Sequence, residues 1–280
     1  MSKKNIFAMI IGVGYSDTPR YTLPGTYNDV MNVRSLLQSL YSDKSKYRLY
    51  TRVFYDTDKP NINIIKSSKA NILHYMNSLA KLSHTSRLKN SENIFYFFYA
   101  GHGYQLRDSN NDELDGKDEY MVTAGFGKLT DDELTLAISK MNPSCMKIRF
   151  IFDCCHSGTK PDLAYRFFPS YDSFIPRPNI SSTLPGMEVM DIISLSASKD
   201  SQNSFGVTID GKDVGLFTYS FMELLENREN CHKKCFELTR DLYNQVLRTK
   251  RKLNINVSSS EFQHLLCHSS LKDNRSFFVF

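Results

Sequence analysis

The chain of 280 residues has no tryptophan and no run of roughly 18 apolar residues, so no transmembrane helix and no membrane partner are expected. Its six cysteines lack the spacing of a disulfide framework, and a chain this long does not need one. Reduced thiols and a cytoplasmic location follow. Charge of one sign is scarce too: the net charge is only +5, and there is no sustained basic stripe. The short run Arg248-Thr249-Lys250-Arg251-Lys252 reads as a solvated helix end, so no nucleic-acid partner is expected. The start, Met1-Ser2-Lys3-Lys4 followed by Ile6 to Val13, mimics a signal peptide. Its apolar stretch is short, contains Gly12 and lacks a cleavage site, so it reads as a first buried strand. No repeat is visible.

What is present is a chain that is 41% hydrophobic, enough for a sizeable core in one large domain or two small ones. The 16 tyrosines and 19 phenylalanines are most simply core and strand residues. Strand-like runs lie at Ile6–Val13, Tyr47–Phe54, Ile94–Tyr99, Ile148–Phe152 and Val189–Leu195, with a late run at Ser276–Phe280. Helical patterns lie between them at Asn28–Tyr41, Ala70–Leu88, Asp131–Met141, Phe217–Leu225 and Phe236–Arg251. This alternation predicts an α/β sandwich with a mainly parallel sheet. Lys160–Met187 is rich in proline and serine without a period and reads as a long loop.

Two segments carry the chemistry. Ala100-Gly101-His102-Gly103 follows one apolar run, and Asp153-Cys154-Cys155-His156-Ser157-Gly158 follows another. In open α/β sheets ligands bind beyond the carboxyl ends of the strands, so His102 and Cys155 are delivered to one sheet edge. A thiol and an imidazole at one edge are the parts of a nucleophilic cysteine enzyme. A lone cysteine is more commonly buried and inert, but polar neighbours argue against that for Cys155. Cys154 is the rival. Side chains alternate along a strand, which sends Asp153 and Cys155 one way and Cys154 the other. Glycines on both sides of His102 let backbone approach a ligand closely.

These segments resemble those of the metacaspases, caspase-like cysteine peptidases. The histidine motif is similar to Tyr99-Ala100-Gly101-His102-Gly103, and the nucleophile motif to Asp153 through Thr159. The resemblance extends in family order to Gly25–Val30, the acidic stretch Asp108–Glu119, Asp131-Asp132-Glu133-Leu134 and Lys199-Asp200-Ser201-Gln202. It implies a caspase-like α/β/α sandwich, with a large-subunit-like region over 1–165, a loop over 160–187 and a small-subunit-like region over 188–280. It also implies a compact form without an N-terminal prodomain or a long linker between the regions, and a monomer. No proline- or glutamine-rich leader precedes Ile6.

The resemblance assigns roles as well. His102 and Cys155 form a dyad, and the backbone N–H groups of Gly103 and Cys155 form an oxyanion hole. Asp29 and Asp153 form an acidic S1 pocket for arginine or lysine, with Ala100 on its wall. On position alone, Asp29 is equally a helix-start charge. Asp118, Asp131, Asp132 and Asp162 are a calcium set of hard oxygen donors. Without the resemblance, Asp131 and Asp132 read as helix caps, and the acidic stretch fails as an EF-hand because Glu113 occupies the glycine position. The chain departs from the family twice: Ala100 stands where serine is usual, and Phe205-Gly206 replaces a late Ala-Asp pair. Cys231-His232-Lys233-Lys234-Cys235, with Cys267-His268, is too irregular for zinc.

The expected function is a calcium-dependent cysteine endopeptidase acting on peptides or proteins with arginine or lysine at the cleaved position. Arg166 is the expected self-cleavage point, since Pro178 protects Arg177. The alternative is a catalytically impaired caspase-like interaction protein.

Overall fold

A computed structural model describes residues 3–56, 63–107, 117–155, 163–167, 177–178, 186–198, 206–255, 265–271 and 278. Its strands are β1 (Lys4–Gly12), β2 (Tyr47–Tyr55), β3 (Ile64–Lys66), β4 (Asn93–Ala100), β5 (Gly103–Arg107), β6 (Lys117–Thr123) and β7 (Gly127–Thr130). They continue with β8 (Met146–Asp153), β9 (Tyr165–Phe167), β10 (Arg177–Pro178), β11 (Asp191–Ser196), β12 (Gly206–Ile209), β13 (Lys212–Gly215) and β14 (Leu266–Ser269). The helices are α1 (Gly25–Leu40), α2 (Lys69–Ser83), α3 (Ser86–Lys89), α4 (Asp131–Ser139), α5 (Leu216–Glu226) and α6 (Cys235–Lys252).

Among the described residues, nine strands form the main sheet in the order β10-β9-β14-β11-β8-β4-β1-β2-β3. From β11 to β3 neighbours run parallel, and β14, β9 and β10 continue antiparallel. The apolar runs of β1, β4 and β8 are buried on both faces, as parallel strands in a sandwich must be.

Residue parity decides which face each side chain joins. Ile6, Ala8 and Ile10 pack with Val30, Val33, Leu37, Phe217 and Leu238 from α1, α5 and α6. Phe7, Met9 and Ile11 pack on the other face with Ile72 and Met76 of α2 and Leu134 and Ile138 of α4. The result is the expected α/β/α sandwich. One buried ion pair ties β8 to β11: Arg149, 1% exposed, makes a two-pronged contact with Asp191 at 2.9 and 3.2 Å.

The differences from the sequence reading have local causes. The helix expected over Ala70–Leu88 breaks after Ser83, where Thr85 turns extended and its hydroxyl bonds to the Leu82 carbonyl. The strand expected from Val189 starts at Asp191, because Met187–Val189 forms a 3-10 turn. The expected loop Lys160–Met187 contains β9 and β10. Of the late run Ser276–Phe280 only Phe278 is described. It is buried in the core, and its carbonyl accepts from the Tyr96 hydroxyl at 3.0 Å.

Candidate active site

Parity along β8 separates the two cysteines. Phe150 and Phe152 lie on the α2/α4 face, and Cys154, next in that series, is buried there at 1% exposure. Ile151 faces α1 and α5, and Asp153 follows it. Cys155 lies one residue past the buried cysteine, is half-buried, and lines a cleft of about 640 Å³. The same cleft is lined by His102, Gly103, Asp153, Asp29 and Ala100, so the structure brings the expected dyad and the expected S1 residues into one place. In the sheet, Gly12 pairs with Ala100 and Ala100 with Asp153, which puts three strand ends side by side beneath it.

His102 is held by its backbone and its ring. Its N–H donates to the Tyr15 hydroxyl at 2.9 Å, and the Tyr99 hydroxyl bonds to its carbonyl at 2.8 Å. Tyr15 and Tyr99 hydroxyls also reach the Val122 carbonyl, at 2.7 and 2.9 Å. Burial pushes both phenols above their ordinary range, so they stay neutral donors. Gly101 makes room for this arrangement: a Cβ there would lie 2.5 Å from the Tyr99 hydroxyl. The imidazole Nε2 lies 2.8 Å from the Tyr21 carbonyl oxygen. A carbonyl only accepts, so Nε2 carries the proton and Nδ1 of the neutral ring is the basic nitrogen. A backbone carbonyl has no residue signature; only Pro19, which starts the short turn Pro19–Tyr21, hints at a fixed backbone here.

The acidic pair belongs to the α1/α5 face. Asp29 lies in the second turn of α1, 2% exposed, and both its oxygens accept from the Gly215 N–H, at 2.9 and 3.1 Å. Burial and the neighbouring Asp153 carboxylate push the Asp29 carboxyl well above the ordinary aspartate range. Asp153 Oδ2 accepts from the Thr218 N–H at 3.1 Å and its hydroxyl at 2.7 Å. It thus caps α5 from another element, where the capping residue Gly215 has no side chain. The glycine is required, because a Cβ at Gly215 would lie 2.1 Å from Asp153 Oδ2. The β12–β13 hairpin walls the cleft through Val207, Thr208 and Val214, a contribution the sequence reading did not foresee.

Of the calcium set, Asp118 and Asp131 are buried and Asp132 is half-buried. Asp131 Oδ2 accepts from the Glu119 N–H at 2.6 Å, which joins the start of α4 to β6 beside Asp118. The helix cap is Thr130, in a capping box with Glu133, so neither Asp131 nor Asp132 is the capping residue. Among the described residues no three His, Cys, Asp or Glu side chains converge as a metal would require. Asp162 lies outside the described residues, as do His156, Asp200 and residues 108–116 of the acidic stretch. Asp118, Asp131 and Asp132 carry hard carboxylate oxygens, the donor type that calcium takes. Arg166 lies in β9, paired with β10 on one side and β14 on the other, so cleavage after it requires that strand to leave the sheet.

None of the six cysteines is in a disulfide, and among the described residues no helix is long and apolar enough to cross a membrane. A family model for the metacaspase, peptidase C14 domain matches residues 7–164, more than half of the chain. Metacaspase-1 of Ajellomyces capsulatus is 28% identical, with 85% of this chain and 75% of that protein aligned. Metacaspase-1 of Coccidioides immitis is 28% identical over 78% of this chain and 54% of its own length. Metacaspase-1 of Pyricularia oryzae is 26% identical over 97% of this chain and 74% of its own. The chain thus spans 54% to 75% of these relatives. A crystal structure of a protein from Geobacter sulfurreducens is similar in fold, with a TM-score of 0.56 at 17% identity and 99% of each chain covered. The chain belongs to the metacaspase family of cysteine peptidases.

Proposed function

We propose that the protein is an endopeptidase that cleaves after arginine or lysine through a Cys155–His102 dyad. The observation that carries this reading is the presence of three aspartates, Asp29, Asp153 and Asp213, in the same cleft as the thiol and the imidazole. A guanidinium or ammonium entering that cleft gains charge-assisted hydrogen bonds, whereas an acidic side chain meets like charge. Ala100 contributes no hydroxyl to the cleft, so basic selectivity falls on its aspartates.

In the proposed cycle Nδ1 of His102 takes the Cys155 proton while Nε2–H stays on the Tyr21 carbonyl. The thiolate attacks the scissile carbonyl carbon. The N–H groups of Gly103 and Cys155 stabilise the resulting oxyanion. The imidazolium then protonates the leaving amine, the C–N bond breaks and a thioester remains. Water, deprotonated by the neutral imidazole, hydrolyses it and regenerates the thiol.

We further propose that Asp118, Asp131, Asp132 and Asp162 hold calcium, whose charge would offset the repulsion among these acids and switch the enzyme on. A cytoplasmic location is proposed as well, since none of the six cysteines is in a disulfide. Incubation with a peptidyl-arginine acyloxymethyl ketone, followed by peptide mass mapping, tests the reading. The adduct is expected on Cys155 alone. An unlabelled Cys155 in a folded protein would favour the interaction-protein alternative.

A further inference from the structure

Phe126 sits at the tip of the β6–β7 hairpin with φ of +59°, beside Gly125 at +77°. A bulky side chain in the left-handed region costs roughly 1–3 kcal/mol. Burial does not offset that cost, because Phe126 is 50% exposed. Folding alone would favour glycine or asparagine at this turn.

The exposed ring is placed against other rings rather than in solvent. Its centroid lies 5.9 Å from Tyr15 and 5.9 Å from Tyr21. Those two rings flank the His102 imidazole at 4.7 and 6.2 Å, and Tyr104 approaches it from 6.0 Å. Tyr21 and Tyr104 are themselves 37% and 39% exposed. Tyr21 and Tyr104 each meet the imidazole and Phe126 meets Tyr21, so these exposed rings make a shelf around it.

The chemistry of the reaction identifies what the shelf meets. His102 protonates the leaving amine, so the nitrogen of the departing residue lies at the imidazole. The carboxylates that would take the basic side chain line a cleft to which neither Tyr21 nor Phe126 contributes, while Tyr104 borders it. The shelf thus lies on the departing side of the scissile bond.

We propose that Tyr21, Tyr104 and Phe126 form the subsite for the residue immediately after the cleaved bond, and that this subsite takes an aromatic or large apolar side chain. The inference rests on the peptidase reading above and adds a second specificity element to it. The preferred substrate carries a basic residue followed by an aromatic one.

The test uses the full chain with calcium present. Two internally quenched peptides differ only after the arginine, one with phenylalanine and one with glycine. An N-acyl-arginine methyl ester, which has no residue on the departing side, reports catalytic competence separately. Wild type is expected to cleave the arginine–phenylalanine peptide with kcat/KM about tenfold above the arginine–glycine peptide. Phe126→Gly relieves the backbone strain, so it is expected to fold, with a Tm no lower than wild type. It should reduce the ratio by about threefold or more, and Tyr104→Ala likewise. A wild-type ratio near one, or a ratio unchanged in both variants while the ester is turned over, overturns the subsite. Failure of wild type to hydrolyse the ester overturns the peptidase reading itself, and the subsite with it.

Discussion

The Nε2 of His102 lies 2.8 Å from the carbonyl oxygen of Tyr21. This contact orients the imidazole and selects its tautomer through a backbone carbonyl. The neutral ring is expected to carry its proton on Nε2, leaving Nδ1 as the base. Long-range proton–nitrogen NMR on histidine-labelled protein checks this. A pyridine-like Nδ1 is the expected signal, and a pyridine-like Nε2 would reverse the base assignment.

Cys154 and Cys155 are adjacent in sequence and differ in fate because of strand parity. Cys154→Ala trims a fully buried side chain and is expected to lower stability by about 1 kcal/mol while keeping most activity. Cys155→Ala is expected to leave stability nearly unchanged, with no measurable turnover. Denaturant unfolding and peptide hydrolysis read the two effects. The reversed pattern would move the nucleophile to Cys154.

Asp29 is a buried acid that holds its proton more tightly than an unfolded aspartate would. Folding therefore takes up a proton between the ordinary aspartate value and the raised one. Stability present at low pH is lost as pH rises through the raised value. Asp29→Asn removes this loss, since the amide oxygen still accepts from Gly215, so the variant should match or exceed wild type in Tm at neutral pH. It should also lose about 10- to 100-fold in kcat/KM for arginine substrates, the worth of one charge-assisted hydrogen bond. A variant that keeps full arginine activity would remove Asp29 from the substrate pocket.

The fold was legible where burial is complete. The strands β1, β4 and β8 are continuous apolar runs, and the expected spans differ from the observed ones by a residue or two at the ends. The strands β5, β6 and β7 were not read, because they are mixed in polarity, and neither was the exposed β12–β13 hairpin. β14 went unread as well: it is only four residues long and contains His268 and Ser269. The residues of the site were legible because chemistry restricts their type. The Tyr21 carbonyl and the Gly215 N–H act through backbone, which any residue supplies.

Calcium is expected to raise kcat/KM at millimolar-range concentrations, with chelator returning it to baseline. Asp132→Ala should abolish the response. Asp131→Ala should do the same and also cost about 1 kcal/mol, because its carboxylate accepts from the Glu119 and Asp132 N–H groups. Isothermal titration with calcium and hydrolysis assays measure both effects. Full activity in excess chelator, unaltered in both variants, would remove calcium from the account.

The most direct measurement is hydrolysis of matched fluorogenic peptides bearing arginine, lysine or aspartate at the cleaved position, by wild type and by Cys155→Ala with calcium present. The account predicts cleavage after arginine and lysine, none after aspartate, and no activity in the variant. Comparable cleavage after aspartate, or turnover retained without the Cys155 thiol, would contradict it.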